Sequence, residues 1–262
     1  MNLPDYTNCT LCPRMCHVNR NEAVGYCGCT SHLSAARAAL HKWEEPVLSG
    51  PAEEPGGSGA VFFSGCTLRC CFCQNSVLSK DHFGKELTVH ELGDVFLRLQ
   101  DQGAYNINLV TPTHYFPDII KSLDLVRHRL HIPIVCNCGG YERPQVISQL
   151  KDYIDIWLPD FDNELAFRYS RAKDYFEQAS ASIAQMIQQT GVPEYMLHPS
   201  SIPEKPDFPL MTKGVIIRHM VLPGAKDDSM LLLHWMKEHL PEGKFDVSLM
   251  SQYTPFYKSG SF

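Results

Sequence analysis

Along the chain, short apolar runs alternate with longer stretches whose apolar residues recur at helical spacing. The runs fall at 60–64, 106–110, 133–136, 155–158, 215–221 and 247–250 and are rich in β-branched or aromatic residues. That is the pattern of strands buried on both faces. Between them, residues 88–102, 117–130, 144–151, 164–189 and 227–239 read as helices. The first opens on Thr88-Val89-His90-Glu91, a capping-box spacing, and stops before Gly103. Strict alternation of strand and helix predicts parallel strands joined by right-handed crossovers. Six such strands form an open doubly wound sheet or a partial (β/α)6 barrel. In either α/β fold, ligands gather at the carboxyl ends of the strands.

The residues before 60 break this alternation. Residues 1–35 are rich in cysteine and turn formers, and too polar to build a core unaided. Residues 36–59 read as a connector ending in the flexible composition Pro51-Ala52-Glu53-Glu54-Pro55-Gly56-Gly57-Ser58-Gly59. The expected organisation is a Cys-rich metal-binding extension (1–35), a connector (36–59) and a barrel (60–262). No internal repeat or low-complexity segment stands out.

Composition narrows the function. The chain has 262 residues, 44% hydrophobic and 20% charged, as in an ordinary soluble protein. Its net charge of −6 argues against nucleic acid as a partner, since nucleic-acid binders carry a basic face. No apolar run approaches the roughly 18–20 residues that span a bilayer. Met1-Asn2-Leu3-Pro4-Asp5 lacks the parts of a secretory signal, so a cytoplasmic location is expected. The departure from the ordinary is eleven cysteines. They group as Cys9, Cys12, Cys16, Cys27 and Cys29, then Cys66, Cys70, Cys71 and Cys73, then Cys136 and Cys138. Grouped thiols in a cytosolic chain are expected to bind metal rather than to form disulfides.

The strongest signal is Ser64-Gly65-Cys66-Thr67-Leu68-Arg69-Cys70-Cys71-Phe72-Cys73, directly after the first run. Cys66, Cys70 and Cys73 can hold three irons of a [4Fe–4S] cluster, whose usual fourth cysteine is then missing. The open iron is what a catalytic metal needs. The alternatives are a zinc site or a four-cysteine cluster closed by Cys71 or a distant thiol.

This loop, with aromatic Phe72 before its last cysteine, resembles the radical S-adenosylmethionine (SAM) superfamily, whose motif follows the first strand of a partial TIM-type barrel. Further segments resemble one branch, the uncharacterised relatives of pyruvate formate-lyase activating enzyme. They are Cys12-Pro13-Arg14, Glu44-Glu45-Pro46, Cys73-Gln74-Asn75, Leu158-Pro159-Asp160-Phe161 and Arg218-His219-Met220-Val221-Leu222-Pro223-Gly224. The resemblance implies SAM bound at the open iron and cleaved by one electron to a 5′-deoxyadenosyl radical that abstracts hydrogen. It also implies a reductant such as flavodoxin or ferredoxin, and Phe72 packed at the adenine. Activation of a glycyl radical enzyme is one such outcome; a small molecule or a peptide is an equally allowed substrate.

The strand ends supply the other candidates. The branch's Gly-Gly-Glu contact to the SAM amino group is missing after the second strand, where Thr111 or Thr113 stands instead. His114 is a loop histidine more in keeping with polar surface than with a ligand. Asn137 is a ribose or carboxylate contact, while Cys136 and Cys138 share a face and read as small core residues. Asp160 is a carboxylate at the barrel mouth. Arg218, embedded in an apolar strand, needs an anionic partner: the SAM carboxylate or a barrel carboxylate such as Asp160. Asp162 stands where an activating enzyme has lysine, and Gln252 and Tyr253 are weaker substrate contacts.

Cys9, Cys12, Cys16 and Cys27 are expected to ligate a second metal, either a structural Zn2+ or another iron–sulfur cluster. Two other classes compete with the radical enzyme: an iron–sulfur electron-transfer protein without SAM chemistry and a zinc-stabilised scaffold. The ending at residues 258–262, directly after the sixth strand, is expected to leave one side of the barrel for a second copy or a partner to cover.

Overall fold

The six expected strands are present and parallel in the computed structural model, which describes residues 3–255. They are β2 (Gly57–Phe63), β4 (Ala104–Val110), β5 (Ile134–Cys138), β6 (Ile156–Pro159), β8 (Phe208–Met220) and β9 (Asp246–Met250). They pair in that order, each new strand added beside the last. This one-way winding makes a partial (β/α)6 barrel, since a doubly wound sheet reverses its strand order. The intervening helices are α3 (Val89–Asp101), α4 (Phe116–Val126), α5 (Pro144–Gln149), α6 (Ala166–Ser170), α7 (Tyr175–Thr190) and α8 (Lys226–His239). The capping box at Thr88 is made in both directions: Glu91 N donates to Thr88 Oγ1 (3.2 Å) and Thr88 N to Glu91 Oε2 (2.8 Å).

Three features depart from the sequence reading. Residues 36–59 are not a connector. They hold most of β1 (Ser34–His41), antiparallel to β2, then α1 (Pro46–Ser49) and the start of β2. In the Gly57-Ser58-Gly59 stretch β4 approaches too closely for a side chain at 59: a Cβ on Gly59 would meet Asn106 O at 2.7 Å and Ala104 Cβ at 2.9 Å. The expected helix at 164–189 is broken into α6 and α7 at Arg171, whose left-handed φ of 56° ends α6. A strand β7 (Glu194–His198) pairs with the first half of β8, and the two-residue β3 (Lys85–Glu86) borders β1. Short α2 (Ser76–Ser79) follows the Cys66 loop.

The hydrophobic core lies mainly between sheet and helices, around Phe96, Ile107, Leu109, Trp157, Ile183 and Ile217. Cys136 belongs to this layer and Cys138 packs beside it at the strand end, as small core residues. Inside the barrel, Leu48 of α1 packs on Val135, Ile156, Leu158 and Ile216, so α1 plugs the lower end. Beside the plug the interior carries polar groups: Ser58 Oγ donates to Asn106 Oδ1 (2.7 Å), and Asn106 Nδ2 to Leu48 O (2.7 Å). Ligand-binding chemistry is thereby confined to the upper, carboxyl end of the strands.

Candidate active site

After β2 the chain turns at Gly65, φ 89°, and enters the cysteine loop. Cys66, Cys70 and Cys73 all border one cavity of about 180 Å3 beneath the loop. The Leu68 and Arg69 amides point at Cys66 Sγ (3.4 and 3.5 Å), and Ser79 Oγ donates to Cys73 Sγ (3.4 Å). Donors aimed at sulfur orient thiolate ligands and tune a cluster. Burial pushes the Cys66 thiol up to about 11, and pushes Cys70 well above the ordinary thiol range. Thiols so buried give up their protons when a metal supplies the compensating charge. Arg69, at φ 57°, holds a left-handed conformation rare outside glycine, as does Thr111, also at φ 57°. The loop therefore fits a thiolate-bound cluster. Cys71 is separate: its amide donates to Tyr169 O (3.0 Å), and its side chain does not border that cavity.

Asn137, Asp160 and Arg218 come together at the barrel mouth, joined by a residue that sequence reasoning passed over, Glu44. Arg218 Nη2 lies 2.8 Å from Asp160 Oδ1 and Nη1 lies 3.3 Å from Glu44 Oε1. Arg218 Nη2 also donates to Asn137 Oδ1 (2.7 Å). Glu44 Oε2 accepts from Asn108 Nδ2 (2.9 Å) and Asn137 Nδ2 (3.1 Å). Arg218 thus has its anionic partners within the chain, as the ion-pair alternative held. The available signals were the Glu44-Glu45 pair before Pro46 and asparagines at alternate positions, 106 and 108, of an apolar strand.

A larger cavity of about 520 Å3 opens from this network to solvent. Cys70, Cys73, Asp160 and Arg218 line it together with Trp43, Phe72, Gln252 and Tyr253. Phe72 packs against Tyr169 (4.8 Å between centroids) and edge-on to Tyr253 (5.6 Å). Thr111 and Thr113 border the smaller cavity instead. Asp162 accepts from the Tyr169 hydroxyl and pairs with His219 Nδ1 (2.8 Å).

Glu142 was also missed, lying in a loop with no motif. It is 1% exposed and borders the cavity of the three cysteines. Its Oε1 accepts from Thr113 Oγ1 (2.8 Å), while Oε2 is buried without a hydrogen-bond partner of ordinary geometry, the Cys138 thiol beside it. Burial raises its carboxyl to about 7. His114, in contrast, is buried rather than on the surface, and supports the loop by donating from Nε2 to Ser64 O (2.7 Å). Burial and the Arg20 charge lower it to about 3 and keep it neutral.

The family model described as the Radical SAM superfamily matches residues 60–198, the stretch that carries this loop and the first four parallel strands. The chain belongs to the radical SAM superfamily. That membership brings a [4Fe–4S] cluster and SAM as cofactors, and a SAM-cleaving radical enzyme as the general activity. The chain is 27% identical to the uncharacterized protein MJ0674 of Methanocaldococcus jannaschii, over 98% of this chain and 69% of that protein. Among solved structures it resembles methylornithine synthase (PylB), with a TM-score of 0.50 and 14% identity over 74% of this chain. SuiB of Streptococcus suis is similar at a TM-score of 0.45 and 15% identity over 78% of the chain. The chain spans about half the length of methylornithine synthase, 53%, and 40% of SuiB. The PylB likeness bears on the fold alone. Among the described residues, no helix is long and apolar enough to cross a membrane.

Proposed function

We propose that Cys66, Cys70 and Cys73 hold the [4Fe–4S] cluster and that the barrel mouth binds SAM for hydrogen abstraction from a substrate in the 520 Å3 cavity. One observation carries this reading: three thiols of one loop border a common cavity, and that cavity meets the polar barrel mouth at Asp160 and Arg218. When bound, the cluster and SAM supply a 5′-deoxyadenosyl radical after one-electron reduction by a flavodoxin or ferredoxin in the cytoplasm. The chain's own residues orient and shield that chemistry. Phe72, backed by Tyr169 and Tyr253, offers a ring face for the adenine. Asp160 and Asn137 present polar groups to the ribose and the methionine carboxylate, and Arg218 fixes both. Thr111 contributes backbone at the edge of the cluster cavity. Glu142 Oε2 takes the place of the missing Gly-Gly-Glu carboxylate as acceptor for the SAM amino group.

The finer reading is an activating enzyme, with a backbone glycine of a partner protein as hydrogen donor. The position of the large cavity supports it. Trp43, just after β1, and residues 248–250 and 252–254, at and after β9, all line the opening. A lateral gap of this kind admits a polypeptide loop as well as a small molecule. Anaerobic incubation with SAM and dithionite tests the core reading: wild type yields 5′-deoxyadenosine and Cys70→Ala yields none. Full activity in Cys70→Ala removes the assignment. An intact cluster that neither cleaves SAM nor changes its spectrum on SAM addition points to simple electron transfer. Glu142→Gln is expected to weaken SAM binding at least tenfold with iron content unchanged.

A further inference from the structure

The extension before β1 is packed onto the cysteine loop, and it buries a charge that its own residues do not neutralise with a carboxylate. Arg20 is 0% exposed. Its Nε and two Nη atoms donate to the backbone oxygens of Cys29 (3.2 Å), His114 (2.6 Å) and Thr30 (2.6 Å). Tyr6 and Tyr115 lie against its guanidinium, with centroids at 4.7 and 5.6 Å. No carboxylate among the described residues pairs with it. What does approach it is sulfur: Nη1 lies 3.9 Å from Cys9 Sγ. A guanidinium taken out of water needs a compensating anion.

The anion has an obvious source. Cys16 Sγ lies 3.9 Å from Cys9 O. A Cβ on Gly25 would touch Cys16 Sγ (3.4 Å), Cys27 Sγ (3.5 Å) and the Arg20 Cδ (3.7 Å). Cys9 thus lies on the guanidinium, Cys16 and Cys27 meet at the bare Gly25 beside the Arg20 stem, and Cys12, between Cys9 and Cys16 in sequence, stands near all three. A structural zinc and an iron–sulfur cluster both take four thiolates; what separates them here is the position of the four cysteines against the catalytic loop.

The two cysteine sets are joined. Cys66 N donates to Cys27 O (3.4 Å), so one backbone hydrogen bond links a cysteine of each. Cys29 Sγ donates to Ser64 O (3.3 Å) alongside. Cys12 and Cys16 are partly exposed, whereas Cys9 and Cys27 are buried. The group thus reaches solvent at Cys12 and Cys16 and touches the catalytic loop at Cys27.

We propose that Cys9, Cys12, Cys16 and Cys27 hold a second iron–sulfur cluster, neutralised by Arg20, that relays electrons through the Cys27–Cys66 contact to the radical SAM cluster. A low-potential one-electron protein donor of the flavodoxin or ferredoxin class reduces the outer cluster. That cluster is then reoxidised as one electron passes inward, and no bond is made or broken. The relay rests on the radical SAM reading; the site itself does not.

The test is the metal content of the full chain purified anaerobically. Wild type is expected to carry about eight irons, and Cys12→Ser/Cys16→Ser about four, for two four-iron clusters. In reduced wild type, only one of two paramagnetic signals should change on adding SAM. Four irons with one zinc, or four irons alone, in wild type overturn the site whether or not the variant folds. Cys70→Ala should lose the SAM-responsive signal and keep the other, which separates failure here from failure of the catalytic assignment. For the relay, the double variant should still be reduced by dithionite and cleave SAM, while reduction by flavodoxin hydroquinone slows at least tenfold. Equal rates with the protein donor overturn the relay.

Discussion

Arg218 holds Asp160 and Glu44 at the same time, at 2.8 and 3.3 Å, and so ties the end of β6 to the loop after β1 across the barrel mouth. Arg218 and Glu44 side chains are 14% and 11% exposed, while Asp160 is 42% exposed and can turn to water. Removing the guanidinium leaves Glu44 as a buried charge held only by two asparagines. Breaking a buried pair costs about 3–5 kcal/mol, and the exposure of Asp160 puts Arg218→Met near the lower end. Its melting temperature should fall by roughly 6–12 °C. Glu44→Gln, which keeps an acceptor for Asn108 and Asn137, should fall less. Thermal unfolding under anaerobic conditions measures both, and equal losses would show that charge is not what matters.

The turn into the cysteine loop leaves no room for a side chain. A Cβ on Gly65 would lie 2.1 Å from Cys29 Sγ, and the φ of 89° is itself disfavoured for other residues. Gly65→Ala should therefore displace the loop and reduce iron bound per chain by at least half of the catalytic cluster's share. Adding Cys29→Ala removes the worst overlap and should recover part of the iron, leaving the tight contacts to Cys27 O (3.1 Å) and His114 Nε2 (3.2 Å) and a backbone penalty of about 1–2 kcal/mol. Iron loss unaffected by the second substitution would mean the overlap with Cys29 is not responsible.

Cys71 sits between two of the proposed ligands, yet its backbone is committed to Tyr169 O at 3.0 Å and its side chain lies off the cluster cavity. Cys71→Ala should retain iron and cleave SAM within about twofold of wild type, since it removes one small partly buried side chain. Loss of the cluster would make Cys71 its fourth ligand, and would favour a closed electron-transfer centre.

The six parallel strands were legible because a strand buried on both faces must be a short apolar run, and the helices between them must show helical spacing. The cysteine loop was legible because its chemistry is local, within eight residues from Cys66 to Cys73. The role of Glu44 was not, although Glu44-Glu45-Pro46 stood out as a segment, because it acts through contacts with residues 64, 93 and 174 positions away. The misreading of residues 57–59 as flexible has the same origin. Glycines that signal a flexible linker in isolation here permit close approach of β2 to β4. Arg218 was recognised as a charge needing an anion, but the choice between SAM and a protein carboxylate depended on where Glu44 and Asp160 fold.

Glu142 gives the pH dependence its sign. Burial beside the cysteine cavity raises its carboxyl to about 7 in the folded chain, against an unfolded value near 4.5. The folded state therefore favours the protonated form. Its contribution is full below the unfolded value, declines as pH rises, and is lost once pH passes about 7. Between pH 5.5 and 8 the change amounts to roughly 2 kcal/mol, at about 1.4 kcal/mol per unit. Glu142→Gln keeps the shape and the acceptor for Thr113 but cannot ionise. Without SAM, the stability of the variant relative to wild type should be higher at pH 8 than at pH 5.5 by that roughly 2 kcal/mol. Denaturant unfolding at the two pH values measures this, and a gap that is the same at both would show that Glu142 does not titrate between them.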